Sequence, residues 1–291
     1  MLKVIAMLAL SAFTAGFSSF ASCREQQNDK SVAENRKNDS TILKVLAEGQ
    51  TSSITDPFVA VIRDEETYAK LRKMEPSLPK LEPEVFQLNT LVAAFLGTRN
   101  TGGFSVEITH GRNGHIRVSE KAPPKDAMTV QMLTSPFKLV SFAPDGSTAV
   151  ELTVDEIFRQ RAQLYRISSG TFNISGGFTG RTESFQLNGK LQLTRLGDLI
   201  TIGFALVSSG GSRERSLRGA ATGFIKDGAL VINRMSHGSL IDPPSGELQV
   251  NGKFLEKSRL ALQLASLPMN VPESYGGGGS IEAELVGASG N

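Results

Sequence analysis

The chain has 291 residues, 40% of them hydrophobic and 21% charged, with 31 Lys and Arg against 29 Asp and Glu. That balance supplies no basic field for nucleic acid and no acidic one for cationic substrates. A single cysteine excludes an internal disulfide, and three histidines leave little material for a metal centre or a histidine-based triad.

Residues 1–22 carry one charge, Lys3, then an apolar run from Val4 to Leu10 and small residues to Ser22. A basic start, an apolar middle and small residues before a cut are the layout of a secretory signal. Two outcomes are open from this layout: cleavage after Ala21 or Ser22, or retention as an uncleaved anchor, because the run approaches the length of a membrane helix. The last four positions, Phe20-Ala21-Ser22-Cys23, resemble the lipobox of bacterial lipoproteins. The resemblance implies cleavage before Cys23, acylation of its thiol and amine, and membrane lipid as a partner. Several acyl chains on one residue would hold the chain almost permanently, and acylation would remove the hazard of a spare thiol. Arg24 stands where Asp would signal inner-membrane retention, so the resemblance favours the outer membrane of the bacterial envelope. Residues 23–51 are expected to form the lipidated cysteine and its tether. From Arg24 to about Ser40 they are too polar to bury enough surface to offset their ordering entropy.

Residues 52–148 read as an α+β unit with a mostly antiparallel sheet. Phe58-Val-Ala-Val-Ile62 is a strand. A short helix follows from Asp64 to Met74, capped by Asp64, with Glu65 and Glu66 at its positive end and Lys70, Arg72 and Lys73 at its negative end. Pro76, Pro79 and Pro83 forbid its continuation. Leu91 to Leu96 is an apolar run of strand length, and Phe104, Val106 and Ile108 alternate on one strand face. Asn113-Gly114 is expected to turn that strand into Ile116-Arg-Val118. Val130 to Leu133 and Phe137 to Phe142 read as two further strands.

The stretch Phe95-Leu-Gly97-Thr-Arg-Asn-Thr101-Gly102-Gly103-Phe104-Ser-Val-Glu-Ile108 resembles the signature of the protease complex subunit PrcB family, in its C-terminal domain. The strand–helix entry from Val59 to Met74, the Pro-rich segment from Pro76 to Phe86 and Thr134-Ser-Pro136-Phe137 follow the family in order. Phe104 and Phe137 stand where Tyr is common, so neither place offers a hydroxyl. The resemblance implies a non-enzymatic, protein-binding module with an envelope protease as candidate partner. Thr101, Gly102, Gly103 and Phe104 are then the candidate contact. Adjacent glycines permit positive φ and close approach of another backbone, which serves either a tight turn that sets strand register or a surface where a partner's chain docks.

Residues 149–166 are expected to connect the two halves. Thr153-x-x-Glu156 has the form of a capping box and Leu152 with Ile157 that of a hydrophobic staple, so a helix is predicted from Val154 to Tyr165. Residues 167–291 then read as an all-β antiparallel sandwich or barrel. Hairpin turns are predicted at Asn188-Gly189, Asp227-Gly228 and Asn251-Gly252, with further strands at Leu199 to Val207, Leu260 to Leu264 and Ile281 to Val286. Gly276 to Gly279 is expected to be a mobile loop. Segments 185–191 and 248–254 share one pattern, which either a duplicated hairpin or the common demands of a two-residue turn explains.

The sequence offers no catalytic constellation and no cofactor or metal site. His110 and His115 flank a turn, but two imidazoles alone make a poor metal site, and His237 has no evident partner. Ser77-Leu-Pro-Lys80 and Ser135-Pro-Phe-Lys138 have the form Ser-x-x-Lys, yet each holds a proline and no Lys-Thr-Gly accompanies them. A second class of function, a small-ligand or lipid carrier, follows from the Phe and Leu richness of the β half, which suits an apolar barrel interior.

Overall fold

Eight strands of the C-terminal part close into an antiparallel barrel, and the N-terminal part lays two small sheets and its helices against the wall of that barrel. The computed structural model describes residues 43–111, 114–143, 150–176, 181–211, 214–236, 238–241, 246–256, 258–267 and 276–288. The expected signal, Cys23 and the tether up to residue 42 lie outside these residues, as do Asn113 and His237.

The first sheet has the order β1-β6-β3-β2, from strands β1 (Lys44–Gly49), β2 (Phe58–Ile62), β3 (Thr90–Phe95) and β6 (Phe137–Phe142), all antiparallel. Residues 44–49, expected within the tether, are therefore a strand paired with β6. All five residues of β2 and all six of β3 are buried, because both faces of this sheet are covered. On one face lie helices α1 (Glu65–Met74) and α2 (Pro83–Leu88), which bury Tyr68, Leu71 and Phe86 against Phe58, Leu91, Phe95 and Leu139. On the other face lies a second sheet, β4-β5-β7, from β4 (Ser105–His110), β5 (His115–Lys121) and β7 (Glu151–Val154). Its residues Val106, Ile108, Ile116 and Val118 meet Val59, Val92 and Val140. Strands β5 and β7 are parallel, and the other pairs in both sheets are antiparallel.

Helix α1 matches its sequence signals. The Asp64 carboxylate accepts the Thr67 backbone N–H at 2.9 Å, and the cap residue at the other end is Glu75, only 3% exposed. Glu75 is a structural hub. Its carboxylate accepts the Ser52 and Ser77 hydroxyls, both at 2.5 Å, and the Ser53 N–H at 2.6 Å, which pins the β1–β2 connection to the helix end. Burial, the largest influence, raises its pKa, but the hydrogen bonds together outweigh it and hold the carboxyl below the usual range. A depressed carboxylate contributes stability that is present above its unfolded value and lost as pH falls through the folded one. Glu75→Gln is therefore expected to cost about 1–3 kcal/mol at neutral pH. In urea titrations across pH, the gap between the two proteins should narrow below about pH 4, near the unfolded carboxyl value.

Two expectations for this part fail. The helix predicted from Val154 to Tyr165 is reduced to α3 (Glu156–Arg159), preceded by Asp155, whose carboxylate accepts the Glu120 N–H instead of capping the turn, while Thr153 lies in β7 and Tyr165 in the first barrel strand. The apolar alternation from Leu152 to Ile157 serves a strand and a single turn that pack into the core behind β5. Val130 to Leu133 forms no strand, and α2, which begins at Pro83, was not foreseen.

The barrel runs β8 (Gln163–Gly176), β9 (Arg181–Leu196), β10 (Leu199–Ser209), β11 (Ser216–Lys226), β12 (Ala229–Ser236), β13 (Glu247–Leu255), β14 (Arg259–Ser266) and β15 (Gly276–Ala288). Each strand pairs with the next, and β15 pairs with β8 to close it. Inward positions carry Phe172, Phe185, Leu191, Ile202, Leu217, Leu230, Val250, Leu262 and Ile281, all buried in one cluster. Outward positions such as Asn173, Gln192, Lys253, Gln263 and Glu284 are polar, the reverse of the apolar band a membrane-spanning barrel turns to lipid. Arg215, 7% exposed, lies at one end beside Leu240, with its guanidinium 2.6 Å from Glu183 and over the Phe185 ring.

Only one of the three expected two-residue turns is a turn. Asp227 and Gly228 both have positive φ, as a hairpin between β11 and β12 requires. Asn188-Gly189 and Asn251-Gly252 instead lie inside β9 and β13. Their glycines fall on the inner face, where Gly252 leaves room for Leu262 and Leu230. Gly276 to Gly279, expected as a loop, is the first part of β15; all four pair with β8, and Gly278 and Gly279 pair with β14 as well.

The two parts share an interface built on β2, the edge of its sheet. Val61 N–H donates to Thr222 Oγ1 at 2.7 Å, Thr201 Oγ1 donates to Val59 O at 2.7 Å, and the two hydroxyls lie 2.8 Å apart. These threonines are cross-strand partners on β10 and β11. They satisfy backbone groups that an edge strand would otherwise offer to another chain. Asn233 donates to Asp64 at 2.9 Å, Arg63 pairs with Glu247 at 3.1 Å, and Lys70 lies 4.3 Å from the Phe224 ring centre.

Candidate functional site

Thr101, Gly102, Gly103 and Phe104 form the connection from β3 to β4, and a second segment of the chain lies along it. Arg99 N–H donates to Thr134 O at 2.7 Å, and Thr134 N–H returns to Arg99 O at 2.9 Å. Gly102 N–H donates to Val130 O at 3.0 Å, and Thr134 Oγ1 donates to Thr101 O at 3.1 Å. The 129–134 segment is thus tied by backbone bonds without becoming a regular strand.

The two glycines differ. Gly103 has φ +88°, and a Cβ there would come within 2.9 Å of Pro123 Cβ, so its lack of a side chain is a structural requirement. Gly102 has no such constraint, since a Cβ would meet only Val130 O at 3.7 Å. Phe104 is half-buried against the core between the two sheets. Its ring centre lies 5.7 Å from the Arg99 guanidinium, whose Nε is 2.8 Å from Glu120 Oε1. Arg99 also donates to Thr98 O at 3.1 Å, and its buried Nη2 has no hydrogen-bond partner among the described residues.

The surface beside this turn is apolar. Met128, Val130, Met132 and Leu133 are 102%, 71%, 52% and 69% exposed, an unusual concentration on one short segment. Sequence reasoning missed it because the alternation from Val130 to Leu133 also fits a strand. It missed Arg99 and Glu120 too, since the pairing of two distant charges depends on the β4–β5 register. The strip has the composition of protein contacts, in which methionine is enriched and charge is depleted.

The other chemistry weighed from sequence is dispersed. His115 Nε2 lies 2.8 Å from Thr153 Oγ1, and the His110 ring packs 5.4 Å from that of Phe142. Ser77 bonds Glu75, and Ser135 is buried with its hydroxyl donating to Ile54 O at 2.7 Å. Among the described residues no three His, Cys, Asp or Glu side chains converge on a metal-sized site.

No curated protein and no solved structure matches the chain. A family match does exist, and it begins at the first residue of β3 and runs to the end of β6. It spans β3, the Thr101–Gly102–Gly103 turn, the β4–β5 hairpin, the exposed strip and β6, and leaves the entry from Val59 to Phe86 outside. Residues 90–143 match the family described as PrcB C-terminal, the family whose signature the turn resembles.

Proposed function

We propose that the chain is a non-catalytic accessory module of the bacterial envelope that docks on a protease through the strip of Met128, Val130, Met132 and Leu133 and the adjoining turn of Thr101, Gly102, Gly103 and Phe104. The observation that carries this reading is an exposed apolar strip, held in place by backbone bonds, inside the segment that matches a family named for a protease complex. The rigid turn fixes the strip on the sheet, so the side chains are presented without a large ordering cost. Acylation of Cys23 would anchor the module at the outer membrane, with residues 24–42 as the tether.

The test is crosslinking in the native organism, followed by purification through a C-terminal tag. The reading expects an envelope protease as the dominant partner, lost when Met128, Val130, Met132 and Leu133 are all changed to Ser. Because these side chains are exposed, the quadruple variant should keep its thermal midpoint. Gly102→Val probes the turn itself, whereas Gly103→Val would confound binding with backbone strain. Capture that survives the quadruple change, or recovery of the folded chain alone, would overturn the docking surface. Cys23→Ser should move the tagged chain out of the membrane fraction, and retention there would remove the lipid anchor from the reading.

A further inference from the structure

A groove of about 400 Å³ lies on the outer wall of the barrel, roofed by β7 and α3. Its floor follows from strand register. Ala205 on β10 pairs with Lys190 on β9 and with Arg218 on β11, so these three form one cross-strand row. The next row is Gln192, Gly203 and Ala220, and the next is Thr194, Thr201 and Thr222. Partners in a row share a face. The middle strand therefore offers the smallest side chains, Gly203 and Ala205, and a trough results. The strand from Thr201 to Ala205, about 3.3 Å per residue step, gives it a length of about 13 Å.

The two ends of the trough differ. At the inner end Thr201 and Thr222 spend their hydroxyls on β2, and Val59 closes the space. Leu152, Val154, Phe158 and Leu164 supply apolar walls. At the mouth Lys190 and Arg218 flank Ala205, about 10 Å apart at their backbones by two strand spacings. Both are exposed, and neither has an ion-pair partner among the described residues. Glu151, exposed on β7, also lines the groove, which leaves one positive charge in excess among its charged side chains.

We propose that this groove binds a single-chain amphiphile with an anionic head, its tail along Gly203 and Ala205 and its head between Lys190 and Arg218. The volume lies within the range of small-ligand sites, and the apolar depth with a cationic mouth matches a tail and a charged head in that order. The barrel interior is filled by its own Phe, Leu and Ile side chains, so the wall rather than the interior carries the inference.

The full mature chain would be titrated with dodecanoate, dodecyl phosphate and methyl dodecanoate by isothermal calorimetry. Saturable one-to-one binding of both anions is expected, with the ester weaker by about tenfold or more, since one tenfold step corresponds to the loss of a single charge-assisted contact. The double variant Lys190→Gln/Arg218→Gln should bring the anions to the level of the ester, and Glu151→Gln should tighten the anions alone. Gly203→Leu fills the trough and should abolish all binding. The nearest atom to a Cβ at Gly203 is Gln192 O at 3.8 Å, so the variant should fold, and Ala205→Leu with a thermal midpoint check guards against failure to do so. A preference for dodecanoate would assign the head as carboxylate, and for the phosphate as phosphoryl. Absence of saturation, binding that survives both filling variants, or tighter binding of an apolar pentapeptide with a free carboxyl end would overturn the proposal.

Discussion

Changing Thr201 and Thr222 together to Val should cost about 2–5 kcal/mol of unfolding free energy, because two buried backbone groups lose their partners at once. Val61 N–H has only the Thr222 hydroxyl in place of a neighbouring strand, and Val59 O accepts from Thr201. Both threonines are almost fully buried, so water cannot replace them without separating β2 from the barrel. Valine keeps the shape, and the loss would reflect hydrogen bonding rather than a cavity. Urea unfolding gives the magnitude, and amide exchange at Val61 should quicken more than at Val92 in the sheet interior. Thr194→Val, in the same row but half-buried, should stay within about 0.5 kcal/mol. Equal losses for the single control and the pair would show that the clasp does not join the two parts.

Gly279→Val should be more severe and prevent folding to the native state. A Cβ at Gly279 would run into the Thr171 carbonyl and come within 2.8 Å of Phe172 Cα and 3.0 Å of its ring, with the opposing strand unable to retreat from a closed barrel. Overpacking of this kind against backbone exceeds the usual range and should cost more than about 4 kcal/mol. The soluble yield of folded chain and the sharpness of its thermal transition measure the effect. Gly287→Val on the same strand meets nothing within 4 Å and should be tolerated. A folded Gly279→Val protein with normal stability would mean that β15 does not occupy the seam.

Gly228 and Gly252 show why part of the fold was hidden in the sequence. The α+β order, the Asp64 cap and the all-β second half were legible, because each rests on short-range patterning. Asp227-Gly228 and Asn251-Gly252 look alike locally, yet one is a turn and the other a strand interior. What separates them is Leu262 on the opposing inner face, a contact that chain order does not reveal. The false helix at 154–165 has a similar origin. A capping pattern favours a helix, but pairing of β7 with β5 and of β8 with β15 buries more of the same residues. For the candidate site, the glycine turn was legible and its apolar neighbour was not. Exposure of Met128 and Val130 is a tertiary fact, set by the absence of any element over them among the described residues.

Closure of the barrel has a kinetic consequence. Ser168 donates to Glu282 O across 114 positions of sequence, and the seam between β8 and β15 can form only after every strand between them exists. The entropy of closing so long a loop is spent before the seam contributes anything, which places its formation late and makes refolding slow for the chain's size. Until then β8 and β14 present open edges with apolar inner faces beside them. During synthesis those edges are the most aggregation-prone surface the chain exposes, and the interval before the last strand arrives is when it most needs to be kept from its neighbours.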